Sequence, residues 1–153
     1  MTAPSGLVLL DTTVVLHLVR GNEIGERMDR AYDLRGRAER PLISVVTVAE
    51  ARAFALKLGW GEVKVKTLDE LLRQLVVVDI NHAQVLRLYA EIDAFLEQSG
   101  YSVRDNDKWI AATAGATQAV LITNDKDFDP LDGKLLTRIY VPVEVPSGDS
   151  GSI

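Results

Sequence analysis

The sequence predicts an α/β fold in which helices cover both faces of a central, mostly parallel sheet. Short apolar runs at residues 7–10, 41–44, 75–78 and 120–122 are separated by longer segments with apolar residues at helical spacing. Continuous short apolar runs are typical of strands that are buried on both faces. Strands that alternate with helices favour a parallel sheet, so we expect a three-layer α/β/α arrangement.

The composition indicates one folded domain. The chain has 153 residues, of which 47% are hydrophobic, and this is enough for a substantial core. It has no cysteine, no apolar run long enough to cross a bilayer and no basic segment that would begin a signal peptide. We therefore expect a cytoplasmic protein with no contact with a membrane. The domain is expected to span residues 1–141, with a loose C-terminal tail at 142–153.

The first 58 residues contain two predicted strands and three predicted helices. The first strand ends at Asp11, and the helix that follows runs to Gly21, a residue suited to the position after a helix. Residues 22–40 are predicted as a second helix. After the strand at 41–44, Thr47 and Glu50 have the spacing of a capping box, which predicts a helix from Thr47 to about residue 58.

The second half continues the alternation. Helices are predicted at residues 62–74 and 82–98, and Asp79 between them is interpreted as a structural capping residue. An alanine-rich helix follows the cluster at 104–108, where Asp105 or Asn106 can cap it. A last edge strand is predicted at 139–141.

Four acidic residues fall at junctions that can face one edge of this sheet. Asp11 and Asp125 follow strands, whereas Glu50 and Asp107 lie in or near first turns of helices. Ligand sites of open α/β sheets lie at the carboxyl edge. Carboxylates that converge there repel one another, and a divalent ion with oxygen ligands, Mg²⁺ or Mn²⁺, would relieve the repulsion. The alternative for each acid is a cap or a turn residue, and the sequence leaves it open.

The segments at residues 9–12, 44–50, 106–112 and 123–128 resemble the four acidic motifs of PIN-domain ribonucleases, in particular the VapC-type toxins of toxin–antitoxin pairs. The resemblance implies a PIN-like α/β/α fold and an endoribonuclease that depends on Mg²⁺ or Mn²⁺. It also implies an RNA substrate, a cognate antitoxin and a homodimer. The implied catalytic and metal-binding acids are Asp11, Glu50, Asp107 and Asp125, with Asp127 as a further metal ligand and Thr12, Asn106 and Thr123 as supporting polar residues.

Several basic residues are candidates for RNA contact, although the net charge of −5 argues against a surface broadly coated in positive charge. They lie near a motif or in a basic cluster, and solvated surface charge is the alternative for each. The candidates are Arg104, Lys108, Arg52, Arg35, Arg37 and Arg40.

Two other functions fit parts of the pattern. Asp11 resembles an aspartyl nucleophile for phosphoryl transfer, but haloacid-dehalogenase-like enzymes usually carry a second aspartate two residues later, where this chain has Thr13. The other alternative is a non-catalytic, PIN-like module that binds RNA or a partner.

Overall fold

A five-stranded parallel sheet forms the centre of the protein. The computed structural model describes residues 4–143. In spatial order the strands are β3, β2, β1, β4 and β5, and every neighbouring pair is parallel. This arrangement confirms the predicted fold class. The strands are β1 (Val8–Leu10), β2 (Leu42–Ser44), β3 (Val76–Val78), β4 (Val120–Thr123) and β5 (Thr137–Tyr140).

Helices cover the two faces of the sheet. They are α1 (Thr12–Arg20), α2 (Glu23–Tyr32), α3 (Val45–Lys57), α4 (Glu62–Gln74), α5 (Ala83–Ser99) and α6 (Asp105–Thr117), and a 3₁₀ helix (Lys126–Leu131) joins β4 to β5. Successive strand side chains point to opposite faces. Val8 and Leu10 accordingly pack in the core beneath α1 to α4, whereas Leu9 packs beneath α5 and α6.

The second helix is shorter than the sequence predicts. It ends at Tyr32, and Asp33 follows in a left-handed conformation with φ of 49°. The segment after it is held as a loop by Arg37, whose guanidinium donates to the backbone oxygens of Tyr32, Pro4 and Gly6 at 2.6 to 2.8 Å. Helical periodicity does not reveal this end of the helix, because two of the three bonds that fix the loop come from residues more than thirty positions away.

The predicted capping residues of two helices are wrong. Ser44 caps α3, because its hydroxyl accepts from the Val46 amide at 3.1 Å, so Thr47 lies inside the helix and forms no capping box. At α6, neither Asp105 nor Asn106 is the cap, and the position before the helix belongs to Arg104 without a side-chain capping bond. These corrections free the side chains of Thr47 and Asn106 for other contacts.

Other predicted features agree more closely with the structure. The Asp79 carboxylate accepts from the Asn81 amide at 3.0 Å, as expected of a structural residue, although His82 is the cap of α5. Of the predicted tail, Pro142 and Val143 belong to no helix or strand, and residues 144–153 lie outside the described residues. None of the helices between residues 4 and 143 is both long and apolar enough to cross a membrane.

Gly25 allows α2 to approach α1 closely. A Cβ atom at this position would lie 2.4 Å from the backbone oxygen of His17. We expect Gly25→Ala to lower the free energy of unfolding by about 1–3 kcal/mol, because one of the two helix backbones must move. Denaturant unfolding measures the change, and Gly6→Ala is the matched control because nothing lies within 4 Å of its added Cβ. Equal losses in the two variants would contradict this packing.

Candidate metal centre

The site lies at the carboxyl edge of the central strands. Asp11 directly follows β1, and Asp125 lies two residues after the last residue of β4. These two strands pair in register with Leu10 opposite Ile122. The Asp11 amide continues the ladder by donating to the Ile122 oxygen at 3.0 Å. Asp11 is also the cap of α1, and Asp125 is the cap of the 3₁₀ helix. Capping and a position at the site are therefore compatible for both acids.

Thr123 connects these two acids through one hydroxyl group. The buried hydroxyl donates to Oδ2 of Asp11 at 2.7 Å and accepts from the Asp125 amide at 2.9 Å. Oδ1 of Asp11 accepts from the Thr12 amide at 2.7 Å. Both oxygens of the Asp11 carboxylate thus have a fixed orientation at the end of β1.

Glu50 faces this edge instead of its own helix terminus. Its Oε1 accepts from the Thr12 hydroxyl at 2.7 Å, and its Oε2 accepts from the Asn106 amide group at 3.1 Å. Thr47, three residues before Glu50 on the same helix, places its hydroxyl 3.0 Å from that of Thr12. Sequence reasoning missed Thr47 because the capping-box pattern gave it a local role. The i, i+3 spacing, which puts Thr47 and Glu50 on one helix face, was the available signal.

Asp107, Asp125 and Asp127 form the tightest group of acids. One carboxylate oxygen from each lies within 4.8 Å of those of the other two. Asp107 is buried in the first turn of α6, with a side chain only 3% exposed, whereas Asp127 is exposed. Arg104 reaches over the group, with Nε and one terminal nitrogen each 3.4 Å from Oδ2 of Asp107.

Burial and mutual repulsion dominate the electrostatics of these carboxyl groups. Burial, followed by the charge of Asp11, raises the pKa of Asp107 to about 7, and Arg104 opposes this rise. Burial likewise raises the pKa of Asp11 to about 6, against the hydrogen bonds from Thr123 and the Thr12 amide. Asp125 and Glu50 add repulsion to both. A cation among these groups would therefore be favourable.

The chemistry of the donor set fits a hard divalent cation. We call the five acids Asp11, Glu50, Asp107, Asp125 and Asp127 the acidic edge. It offers only carboxylate oxygens, which suit Mg²⁺ and Mn²⁺ and are unlike the nitrogen and sulfur ligands typical of zinc. Three members, Asp107, Asp125 and Asp127, already have oxygens close enough to share one ion.

Three of the predicted RNA-binding residues, Arg104, Lys108 and Arg52, pair with acids of this chain. Besides the Arg104 contact with Asp107, Lys108 lies 2.7 Å from Asp93 and 3.4 Å from Asp105. Arg52, on α3, forms an ion pair with Asp69 of α4 at 2.9 Å. Their side chains therefore exchange one ionic partner for another if they bind phosphate.

The predicted basic cluster at Arg35, Arg37 and Arg40 is not brought to the acidic edge. It immediately precedes β2, so it lies at the amino end of a strand whose carboxyl end faces the site. Arg35 pairs with Asp29 at 3.4 Å, and Arg37 binds backbone oxygens. RNA contact by these three arginines stays a prediction, and it would involve the opposite edge of the sheet.

The fold and the acidic edge define the class of protein, and a family comparison agrees with it. Residues 8–134 match the PIN domain model, and the chain belongs to the PIN-domain family. Ribonuclease VapC5 of Mycobacterium tuberculosis is 34% identical over 143 residues, which cover 90% of this chain and 96% of that protein. Ribonuclease VapC2 of Rickettsia felis is 28% identical over 131 residues, covering 85% and 96%. The resemblance seen in the sequence is thereby confirmed.

Solved structures show the same fold. The VapBC-5 structure of the VapBC family of toxin–antitoxin systems from Mycobacterium tuberculosis matches with a TM-score of 0.68 and 29% identity, covering 88% of this chain and 98% of that one. VapBC2 from Rickettsia felis, bound to a DNA fragment from its promoter, has a TM-score of 0.75 at 24% identity, with coverage of 88% and 98%. The second likeness supports the fold alone.

Proposed function

We propose that this protein is a metal-dependent endoribonuclease and the toxin of a toxin–antitoxin pair. The observation that carries the proposal is the group of three carboxylates within 4.8 Å, beside buried Asp11, in a chain 34% identical to a ribonuclease. The nuclease domain would span residues 1–141, as the sequence predicts, and would act on RNA in the cytoplasm.

Asp107, Asp125 and Asp127 would hold Mg²⁺ or Mn²⁺, with Asp11 and Glu50 completing the acidic edge. A divalent ion at such a site supplies a water of lowered pKa and neutralises charge that builds up on a phosphodiester. The protein itself fixes the geometry. Thr123 orients Asp11 together with the backbone that carries Asp125.

Thr12 and Asn106 orient Glu50. The Thr12 hydroxyl donates to Oε1 of Glu50, and the Asn106 side-chain amide donates to Oε2. The Glu50 side chain is thereby held toward the acidic edge. Arg104 is 70% exposed and can donate to phosphate oxygens at the rim, as its planar guanidinium suits that geometry. Thr12 and Asn106 therefore orient Glu50 and Arg104 binds phosphate, and none of the three needs to transfer a proton.

The alternatives receive less support. Both oxygens of Asp11 accept hydrogen bonds and its side chain is buried, an arrangement that suits a fixed ligand better than an attacking nucleophile. A non-catalytic module would share the fold and the acidic edge, but the relatives that match most of this chain are ribonucleases. The cleavage experiment below separates the module from the enzyme.

Cleavage of total cellular RNA by the purified protein tests the proposal. We expect discrete cuts with Mg²⁺ or Mn²⁺, 5′-phosphate ends, and loss of cleavage with EDTA or in Asp11→Asn. If the folded wild-type protein, free of bound inhibitor, makes no cuts with either ion, the enzyme proposal is wrong. RNA binding without cleavage would then favour the binding module.

The partners of this chain are proposed from its relatives. A VapBC relative was solved as a member of a family of toxin–antitoxin systems, so we propose a cognate antitoxin here, together with a homodimer. Light scattering of the purified chain tests the dimer, and a mass of one chain across the micromolar range would exclude it. Suppression of RNA cleavage by the antitoxin tests the pair.

Thr12→Val is expected to lower kcat for RNA cleavage by about 10- to 100-fold, because valine lacks the hydroxyl that donates to Oε1 of Glu50. The substitution keeps the shape of the side chain, so KM should change little. Thr12→Ser retains the hydroxyl and is the matched control. Wild-type kcat in the valine variant would show that Glu50 is positioned without Thr12.

A further inference from the structure

A cavity of about 370 Å³ opens beside Asp127 of the acidic edge. One wall is the link between α5 and α6, and the other wall is the 3₁₀ helix after β4. The residues that line it are Tyr101, Ser102, Val103, Lys126, Asp127, Asp129 and Pro130. Because Asp127 belongs to both features, whatever fills this cavity lies next to the proposed cleavage centre.

Tyr101 is the aromatic residue that lines this cavity. Gly100 ends α5 with φ of 77°, and the Tyr101 amide donates back to Leu96 at 2.9 Å, which fixes the backbone that carries the ring. The side chain remains 53% exposed, and within residues 4–143 its hydroxyl has no hydrogen-bond partner. A single exposed tyrosine is ordinary. Tyr101 differs from an ordinary surface tyrosine because it lines a cavity that adjoins the acidic edge.

The charges of the cavity leave a cation available. Asp129 is paired with Arg138 at 2.8 Å, and Asp127 belongs to the proposed metal site. Lys126 forms no ion pair with any carboxylate in the described part of the chain, and its amine lies 5.6 Å from the centre of the Tyr140 ring. Lys126 and the exposed Tyr101 line the same cavity, and such a pair suits a phosphate and a base of the same nucleotide strand.

We propose that this cavity binds one unpaired nucleotide of the RNA next to the bond that is cut. Its base stacks on Tyr101, and its phosphate contacts Lys126. The proposal rests on the proposed ribonuclease function and names a substrate subsite within it. Sequence-selective recognition of RNA usually reads unpaired bases stacked on aromatic side chains, and a cavity of this volume admits one such base but no duplex.

Variants of Tyr101 test the subsite in the full-length protein. Tyr101→Leu removes the aromatic face, whereas Tyr101→Phe keeps it and is the matched control. For single-stranded oligoribonucleotides cut by the wild type, we expect the leucine variant to raise KM about tenfold and to relax the choice of cut site. The change in kcat should be less than threefold. The phenylalanine variant should behave as the wild type, and Lys126→Gln should raise KM and reduce its salt dependence.

A binding measurement gives a second readout. An oligoribonucleotide that carries 2-aminopurine beside the cut site should be quenched on binding to Asp11→Asn, and the quenching should be lost when Tyr101→Leu is added. If the wild type cleaves RNA but Tyr101→Leu has the same KM, cut sites and quenching, the subsite is wrong and the ribonuclease stands. If the wild type cleaves no RNA, the ribonuclease proposal fails and the subsite fails with it.

Discussion

Replacing Asp107 with asparagine is expected to reduce RNA cleavage at least about a thousandfold while raising the melting temperature of the metal-free protein at pH 8. The loss of activity follows from the place of Asp107, whose carboxylate shares the three-acid group with Asp125 and Asp127. The gain in stability follows from its burial beside Asp11, where a negative charge is unfavourable.

The pH dependence of this gain has a definite sign. The pKa of Asp107 is about 7 in the folded protein and 3.8 in the unfolded reference, so the folded state binds the proton more strongly. The contribution of protonated Asp107 to the free energy of unfolding is complete below about pH 4, and it is lost as the pH rises through 7. Asparagine is neutral throughout. The melting temperatures of wild type and variant should therefore converge toward pH 4 and diverge by several degrees above pH 7.

Thermal unfolding between pH 4 and 8, with EDTA and then with Mg²⁺ or Mn²⁺, measures both effects. Added metal should raise the melting temperature of the wild type and leave Asp107→Asn nearly unchanged, because only the wild type retains the full ligand set. Asp69→Asn is a suitable control, since Asp69 pairs with Arg52 away from the three-acid group. An asparagine variant at position 107 that is less stable than wild type in EDTA at pH 8 would contradict the electrostatic account.

Thr123→Val is expected to lower cleavage about a hundredfold and the free energy of unfolding by about 1–3 kcal/mol. The buried hydroxyl donates to Oδ2 of Asp11 and accepts from the Asp125 amide. Valine removes both bonds, and Oδ2 of Asp11 then keeps only the longer bond of 3.4 Å from the Thr13 hydroxyl. The losses of activity and of stability have the same cause, because the Thr123 hydroxyl bonds both Asp11 after β1 and the Asp125 amide after β4.

Kinetics and denaturant unfolding on the same preparations check this prediction. Thr123→Ser should retain most activity and stability, since it keeps the hydroxyl and loses only a methyl group. A valine variant that unfolds like wild type, or that cleaves within threefold of it, would show that Thr123 does not position the two acids.

The ends of strands were the most predictable part of the site. Asp11 and Asp125 follow short apolar runs, and in a parallel sheet such positions share one edge, so their convergence could be predicted before any contact was known. Glu50 was harder, because a first-turn glutamate three residues after a threonine also fits a capping box. The structure instead places Ser44 at the cap and connects Glu50 to Thr12 and Asn106.

Contacts between distant segments were beyond sequence reasoning. Arg37 was a candidate for RNA contact by its charge, yet its bonds to the backbone oxygens of Pro4 and Gly6 span more than thirty residues. The cavity at Tyr101 likewise forms between distant segments, since its walls come from the α5–α6 link and from the 3₁₀ helix. Periodicity and motif spacing describe single elements, and they carry no information on which loops meet.

The central claim is that the acidic edge binds a divalent ion and that RNA cleavage depends on it. Titration of Mn²⁺, followed by electron paramagnetic resonance and by cleavage of one RNA in the same samples, tests this most directly. We predict that the cleavage rate rises with the fraction of bound Mn²⁺, and that Asp107→Asn loses both. Undiminished cleavage in EDTA, or unchanged Mn²⁺ binding in Asp107→Asn, would contradict the claim.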